Sequence, residues 1–278
     1  MRDQPVRDQR MRSRRHRLRS FHINRMIPNT LTLRALATGL SSLRFALNER
    51  WDMAVLAIVI AAILDGLDGR IARILNGATR FGAELDSLSD FLCFGVAPAM
   101  ILYLWALTEA GRLGWALVLL FCIGCALRLA RFNADIDEPE PPPWHRNFFV
   151  GLPSPAGAGL ALLPVMLWFQ IDASFLRNPL FVGLIMLAVA AMLVSRVRTF
   201  SFKKLRIPHR LVLPTMLAIG VYLAFLVSAP WFTLTVTGIA YAISIPFSDR
   251  TFRSLKDAHS RAVTPVPGDS GRAEGAGP

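Results

Sequence analysis

Apolar runs of about 20 residues, the length that crosses the hydrocarbon of a bilayer as a helix, follow one another from residue 28 to residue 247. They predict about eight membrane-spanning helices, near 28–47, 52–75, 84–107, 114–134, 149–170, 178–195, 211–228 and 230–247. The first is the least apolar, because TLTLRALATGLSSLRFAL carries Arg34 and Arg44, and the last two are divided only by Ala229-Pro230. The expected fold is an all-α integral membrane protein whose transmembrane domain covers 28–247. Polar segments flank it. Residues 1–27 form a basic tail, expected to be disordered or bound to the membrane surface, and residues 248–278 a largely disordered C-terminal tail. The opening MRDQPVRDQRMRSRRHRLRS has no apolar core of the kind a secretory signal peptide needs.

Composition strengthens this reading. A hydrophobic content of 53% with mean hydropathy +0.42 excludes an ordinary water-soluble domain. The net charge of +12 raises the question of nucleic acid. The basic residues, however, sit at the ends of apolar runs and in the tail, without a stacking or groove-reading motif, so anionic membrane lipid is the expected partner and nucleic acid is not. Cys93, Cys122 and Cys125 all lie in apolar runs and read as small buried residues; the C-x-x-C of the last two has no second pair to complete a zinc site.

The positions of Arg and Lys set the expected orientation, since cytoplasmic loops hold the excess of both. One side receives the nine arginines before Pro28, then Arg70, Arg73 and Arg80, then Arg128, Arg131 and Arg146, then the basic 196–210 connection. The other side receives only Arg50, Arg112 and Arg177. Both termini are therefore expected in the cytoplasm, in a bacterial-type inner membrane. The EPEPPP run at 138–143 reads as a stiff cytoplasmic loop.

One stretch breaks the apolar pattern: DGLDGRIARILNGATRFGAELDSLSD, residues 65–90. Ionised carboxylates in hydrocarbon cost several kcal/mol and repel one another, so a cluster of them demands positive charge. Asp65 and Asp68 are three apart and Asp86 and Asp90 four apart, so each pair shares a helix face. Counting about 1.5 Å per residue from Asp52 puts Asp65 roughly 20 Å across a core of about 30 Å, which places the carboxylates in the cytoplasmic third. Hard oxygen donors so grouped suit magnesium, manganese or calcium, and two ions bridged by shared carboxylates would neutralise the charge.

Gly66 and Gly69 each weaken a helix by about 1 kcal/mol relative to alanine, so their place among these ligands asks for a reason. With Ala72 they leave one side of the helix bare, where a base or a phosphate can approach the backbone. Arg73 extends that strip by a turn and can pair with phosphate oxygens. Gly82 gives the second helix a similarly bare approach.

The spacing of Asp65, Asp68, Gly69, Ala72, Arg73, Gly82, Asp86 and Asp90 resembles the signature of the CDP-alcohol phosphatidyltransferase family, matching it at every position. Weaker marks resemble the branch of that family whose acceptor is L-serine: SDFLCFGVAPA at 89–99, ALRLARFN at 126–133, FVGLPSPAGAG at 149–159 and SFKKL at 201–205. The resemblance implies transfer of the phosphatidyl group of CDP-diacylglycerol to the serine hydroxyl, with release of CMP and with two divalent ions, magnesium or manganese. It makes Asp65, Asp68, Asp86 and Asp90 metal ligands and Asp90 also the base. It assigns Pro28, Asn29, Thr30, Leu31, Gly69, Ala72, Arg73, Thr79 and Gly82 to CDP-diacylglycerol. Relatives also imply a homodimer.

Other readings compete for the same residues. Intramembrane carboxylates by themselves favour an ion-coupled transporter or proton relay, and it is the glycines with Arg73 that turn the balance toward an enzyme. Thr79 alone suits a helix N-cap, and Pro28-Asn29 a helix start. Arg128 and Arg131 suit either an acceptor carboxylate or the positive-inside bias equally. Within the enzyme class, glycerol 3-phosphate and inositol are the rival acceptors.

Overall fold

The computed structural model describes residues 4–75, 77, 79–135, 148–195, 198–200 and 211–245. The proline run at 138–143, the SFKKL segment at 201–205 and the tail at 248–278 lie outside them. The described chain is helical apart from a single two-stranded ribbon. Helix α1 spans Gln4–Leu47, α2 Trp51–Ile74, α3 Arg80–Asp90, α4 Ala97–Trp105 and α5 Arg112–Asp135. They are followed by α6 Ser154–Ala161, α7 Leu163–Ile171, α8 Pro179–Val194, α9 Val212–Ser228 and α10 Pro230–Ile245. Strands β1 (Phe148–Val150) and β2 (Arg198–Phe200) pair antiparallel with Phe149 opposite Thr199, outside the two ends of the α6–α8 segment. Between β1 and α6 the chain turns at Gly151, whose φ of +88° is a conformation that only glycine adopts without strain.

Among the described residues, three helical stretches are long and apolar enough to cross a membrane: Arg80–Trp105, Arg112–Ala134 and Ser154–Ile171. The first runs through α3, a π-helical turn at Phe91–Val96 and α4; the third is α6 and α7 joined at Leu162. α8, α9 and α10 are apolar but shorter. α2 has the length, at 24 residues, but carries Asp52, Asp65, Asp68, Arg70 and Arg73. The chain is thus a helical membrane protein, and each of the eight expected segments is helical over most of its length.

α1 begins well before the first apolar segment. The residues expected as a disordered or surface-bound tail are helical from Gln4 onward, continuous with the first apolar segment, so Pro28 lies inside a helix rather than at its beginning. Proline brings no N–H to the helix ladder, and Thr32 Oγ1 donates to the Pro28 carbonyl at 3.1 Å.

The core is built of small and large residues fitted together. Ala54, Val55, Ile58 and Ala61 of α2 and Phe94, Ile101, Leu102 and Trp105 of the Arg80–Trp105 stretch are buried with Phe121 and Cys125 of α5. α1 packs against both α2 and α3, and α5 packs against α8. Close approach depends on glycine at the α5 end: a Cβ on Gly95 would stand 3.1 Å from Cys125 Sγ. At the end remote from the α2–α3 turn, Trp105 and Trp168 stack edge-on at 6.0 Å, and Arg177 Nε donates to the Trp105 carbonyl at 2.8 Å, satisfying a group that the end of α4 leaves open. α9 buries none of its residues, and Leu213 and Val227 are 81% and 84% exposed, as side chains bathed in lipid would be.

Candidate active site

The site lies at the end of the α2–α3 hairpin where the chain turns. Asp52 in the first turn of α2 and Arg73 in its last suit the helix dipole, so α2 can carry its carboxylates near its C-terminal end without losing its form. α3 is started by Thr79, whose Oγ1 accepts the Gly82 N–H at 2.9 Å. That cap fixes where α3 begins and hence which way Asp86 faces.

Asp65, Asp68 and Asp86 each offer a carboxylate oxygen, and the three oxygens lie within 4.8 Å of one another. Asp68 is only 3% exposed, and its Oδ2 has no hydrogen-bond partner among the described residues. Thr32 of α1 stands against Asp68. Asp90, one turn beyond Asp86, is outside the group of three: its carboxyl approaches Asp65, and its Oδ1 is buried without a partner among the described residues. The π-helical turn begins at the next residue, Phe91, and its wider winding lets the helix leave the cluster in a new register. On the other side Asp90 faces the positive charge of Arg128.

A cleft of about 190 Å³ opens beside the carboxylates, lined by α1, α2 and α3. It gathers Asp68 and Asp86 with Pro28, Asn29, Gly69, Ala72, Arg73, Thr79 and Gly82. Gly69 has nothing within 4 Å of where a side chain would start, so its backbone is open to a ligand. Gly82 is the opposite case: a Cβ there would lie 2.8 Å from Asn29 Oδ1.

Two of the residues assigned to the nucleotide fall elsewhere. Thr30 is exposed, with its hydroxyl turned back to the Met26 carbonyl at 2.9 Å, and neither it nor Leu31 lines the cleft. Thr32 lines the cleft with Pro28 and Asn29, because a helix puts positions 28, 29 and 32 on one face. The spacing of these positions by three and four residues is the sequence signal for that face. Arg131 also turns away from the carboxylates, donating from Nη1 to the Val194 carbonyl at 2.9 Å, at the C-terminal end of α8. Arg128 remains near the cluster, its Nη1 bonded to Ser154 Oγ.

The CDP-alcohol phosphatidyltransferase family model matches residues 25–197, which contain the cleft and all four aspartates. The chain belongs to this family. A second model, CDP-alcohol phosphatidyltransferase 2, matches residues 210–246, the α9–α10 hairpin. The phosphatidyltransferase chain is similar to the CDP-diacylglycerol–serine O-phosphatidyltransferase of Mycobacterium leprae, at 37% identity over 85% of this chain and 78% of the relative. It is also similar to the enzymes of the same name from Helicobacter pylori (strain J99), at 39% identity over 65% of this chain and 74% of the relative, and Methanocaldococcus jannaschii, at 33% over 67% and 79%.

Proposed function

We propose that this phosphatidyltransferase moves the phosphatidyl group of CDP-diacylglycerol to the hydroxyl of L-serine, giving phosphatidylserine and CMP. The observation that carries the reading is the convergence of carboxylate oxygens from Asp65, Asp68 and Asp86, the last two of which line a cleft together with Gly69 and Arg73. The names of relatives at 33–39% identity supply the acceptor.

The donor set fits divalent cations. Three carboxylate oxygens within 4.8 Å, one carboxylate nearly inaccessible and with an orphaned oxygen, form an arrangement that repels itself unless a cation is shared. Asp65, Asp68 and Asp86, with Asp90 beside them, would hold two ions, magnesium or manganese. Bound there, the ions supply Lewis-acid stabilisation of the pyrophosphate oxygens and of departing CMP.

The chain's own groups do the rest. Gly69 lets the pyrophosphate reach the α2 backbone, and Arg73 pairs with phosphate oxygens. Pro28, Asn29 and Thr32 of α1, with Ala72, Thr79 and Gly82, shape the nucleotide pocket. Thr30 and Leu31 stay with it only as neighbours on α1. Asp90 takes the proton of the serine hydroxyl as that oxygen bonds to phosphorus and the bond to the CMP oxygen breaks. Arg128 holds the serine carboxylate, and Arg131 braces the α5–α8 contact.

The site belongs to the cytoplasmic third of an eight-span bundle in a bacterial-type inner membrane, with both termini cytoplasmic and the basic N-terminal residues on anionic lipid. The diacylglycerol tails then remain in the bilayer while CDP and serine meet the cleft from water. The enzyme acts as a homodimer.

The test offers the purified protein CDP-diacylglycerol with labelled serine, glycerol 3-phosphate or inositol in turn, and measures CMP release with the lipid formed. Phosphatidylserine is expected. Transfer to either other acceptor in preference to serine overturns the acceptor assignment, and no CMP release with any of them overturns the reaction.

A further inference from the structure

Arg128 is held in an unusual way for a cation among carboxylates. It lies on α5, half-buried, and interacts with the charge of Asp90. Its hydrogen-bond partner is nevertheless a neutral hydroxyl: Nη1 donates to Ser154 Oγ, and Ser154 is 1% exposed. Cys125, one turn earlier on α5, points its Sγ at the same oxygen from 3.9 Å. Ser154 is fixed in turn, because it opens α6 immediately after Pro153, and α6 packs on the π-helical turn that follows Asp90.

The guanidinium is planar, with its donors in a fixed fork. Pinning Nη1 stops rotation of that plane. It leaves the opposite edge, formed by Nε and Nη2, to present two parallel N–H groups, the geometry that takes a carboxylate side-on. Nε on that edge is buried and has no hydrogen-bond partner among the described residues. A buried donor left unpaired costs free energy unless something fills it. A carboxylate at position 154 would hold the arginine more tightly but would neutralise it. A hydroxyl orients the group and leaves its charge for a ligand.

We propose that Ser154 is a positioning residue that aims the free Nε edge of Arg128 at the carboxylate of the acceptor amino acid beside Asp90, and so gives the enzyme its preference for an acceptor that carries a carboxylate. The inference rests on serine being the acceptor and deepens that reading.

Ser154→Ala and Ser154→Thr test it in the full-length enzyme, with KM measured separately for serine and for CDP-diacylglycerol. Ser154→Ala removes the anchor. Its serine KM should rise roughly ten- to a hundredfold, the worth of one hydrogen bond to a charged group. The KM for CDP-diacylglycerol should not move, which also reports that the protein is folded. Ser154→Thr keeps the hydroxyl and should restore most of the serine affinity. An unchanged serine KM in Ser154→Ala, or equal losses for both substrates, overturns the proposal, as does a threonine variant no better than alanine. Wild-type enzyme that forms no phosphatidylserine overturns the acceptor reading and this inference with it. Wild-type enzyme that forms phosphatidylserine beside an unaffected Ser154→Ala overturns the inference alone.

Discussion

Asn29 Oδ1 stands 2.8 Å from where a Cβ on Gly82 would lie, so α1 meets the first turn of α3 through an asparagine that only glycine accommodates. The same imaginary Cβ is 3.1 Å from Thr79 Oγ1, the oxygen that caps α3. One small residue thus holds together a cleft wall from α1, the cap of α3 and the placement of Asp86 a turn further on.

Gly82→Ala should therefore fold yet work poorly. Asn29 must move aside, and the Thr79 cap, worth about 1 kcal/mol, is strained with it. Displacing reacting groups by about 1 Å can cost on the order of a hundredfold in rate. The expected result is a drop of that order in turnover, with a raised KM for CDP-diacylglycerol and a thermal midpoint in detergent within a few degrees of wild type. Turnover near the wild-type value would show that Asn29 does not need its present position.

Gly66 and Gly69 make a contrasting pair. Both have nothing within 4 Å of an added Cβ, so alanine at either should stabilise α2 by about 1 kcal/mol through helix propensity. Only Gly69 lines the cleft. Gly66→Ala should keep its activity, while Gly69→Ala should lose it together with CDP-diacylglycerol affinity, despite equal or higher thermal stability. Equal activity in the two variants would remove Gly69 from the donor pocket.

Much of this site was legible because the residues that make it are local. Asp65 to Asp90 occupy two consecutive helices, and their i, i+3 and i, i+4 spacing alone brings each pair to one face. What the pattern could not supply depends on distant packing. Ser154 meets Arg128 across 26 residues, and Arg131 meets Val194 across 63, both through the way α5 sits among its neighbours. The π-helical turn after Asp90 leaves no mark in hydrophobic periodicity, since FLCFGV is apolar throughout. The helical N-terminal residues were hidden for another reason: a run of arginines reads as solvated tail whether or not its backbone is coiled.

The carboxylate cluster makes the response to metal predictable. Chelator should abolish activity, and magnesium or manganese should restore it. Asp65→Asn and Asp86→Asn each remove one charge from the set of three and should raise the metal concentration needed for half activity, with the maximal rate reduced as well. Full turnover in excess chelator would rule out the divalent site.

The proposed role of Asp90 differs from that of the other three. It lies outside the group whose oxygens converge within 4.8 Å, its buried Oδ1 has no hydrogen-bond partner among the described residues, and the carboxyl interacts with the charge of Arg128. A carboxylate so placed is free to take a proton from a hydroxyl entering between it and the arginine. Asp90→Asn retains the size and one carbonyl oxygen but cannot accept that proton as a carboxylate does. Turnover should fall by a factor of about 10² to 10⁴, the usual worth of general-base assistance, while CDP-diacylglycerol still binds. Affinity measured alongside turnover separates this outcome from loss of a metal ligand, which would weaken both. Near-normal turnover in Asp90→Asn would mean that another group deprotonates the acceptor, and Asp90 would lose its role as base even with the family assignment intact.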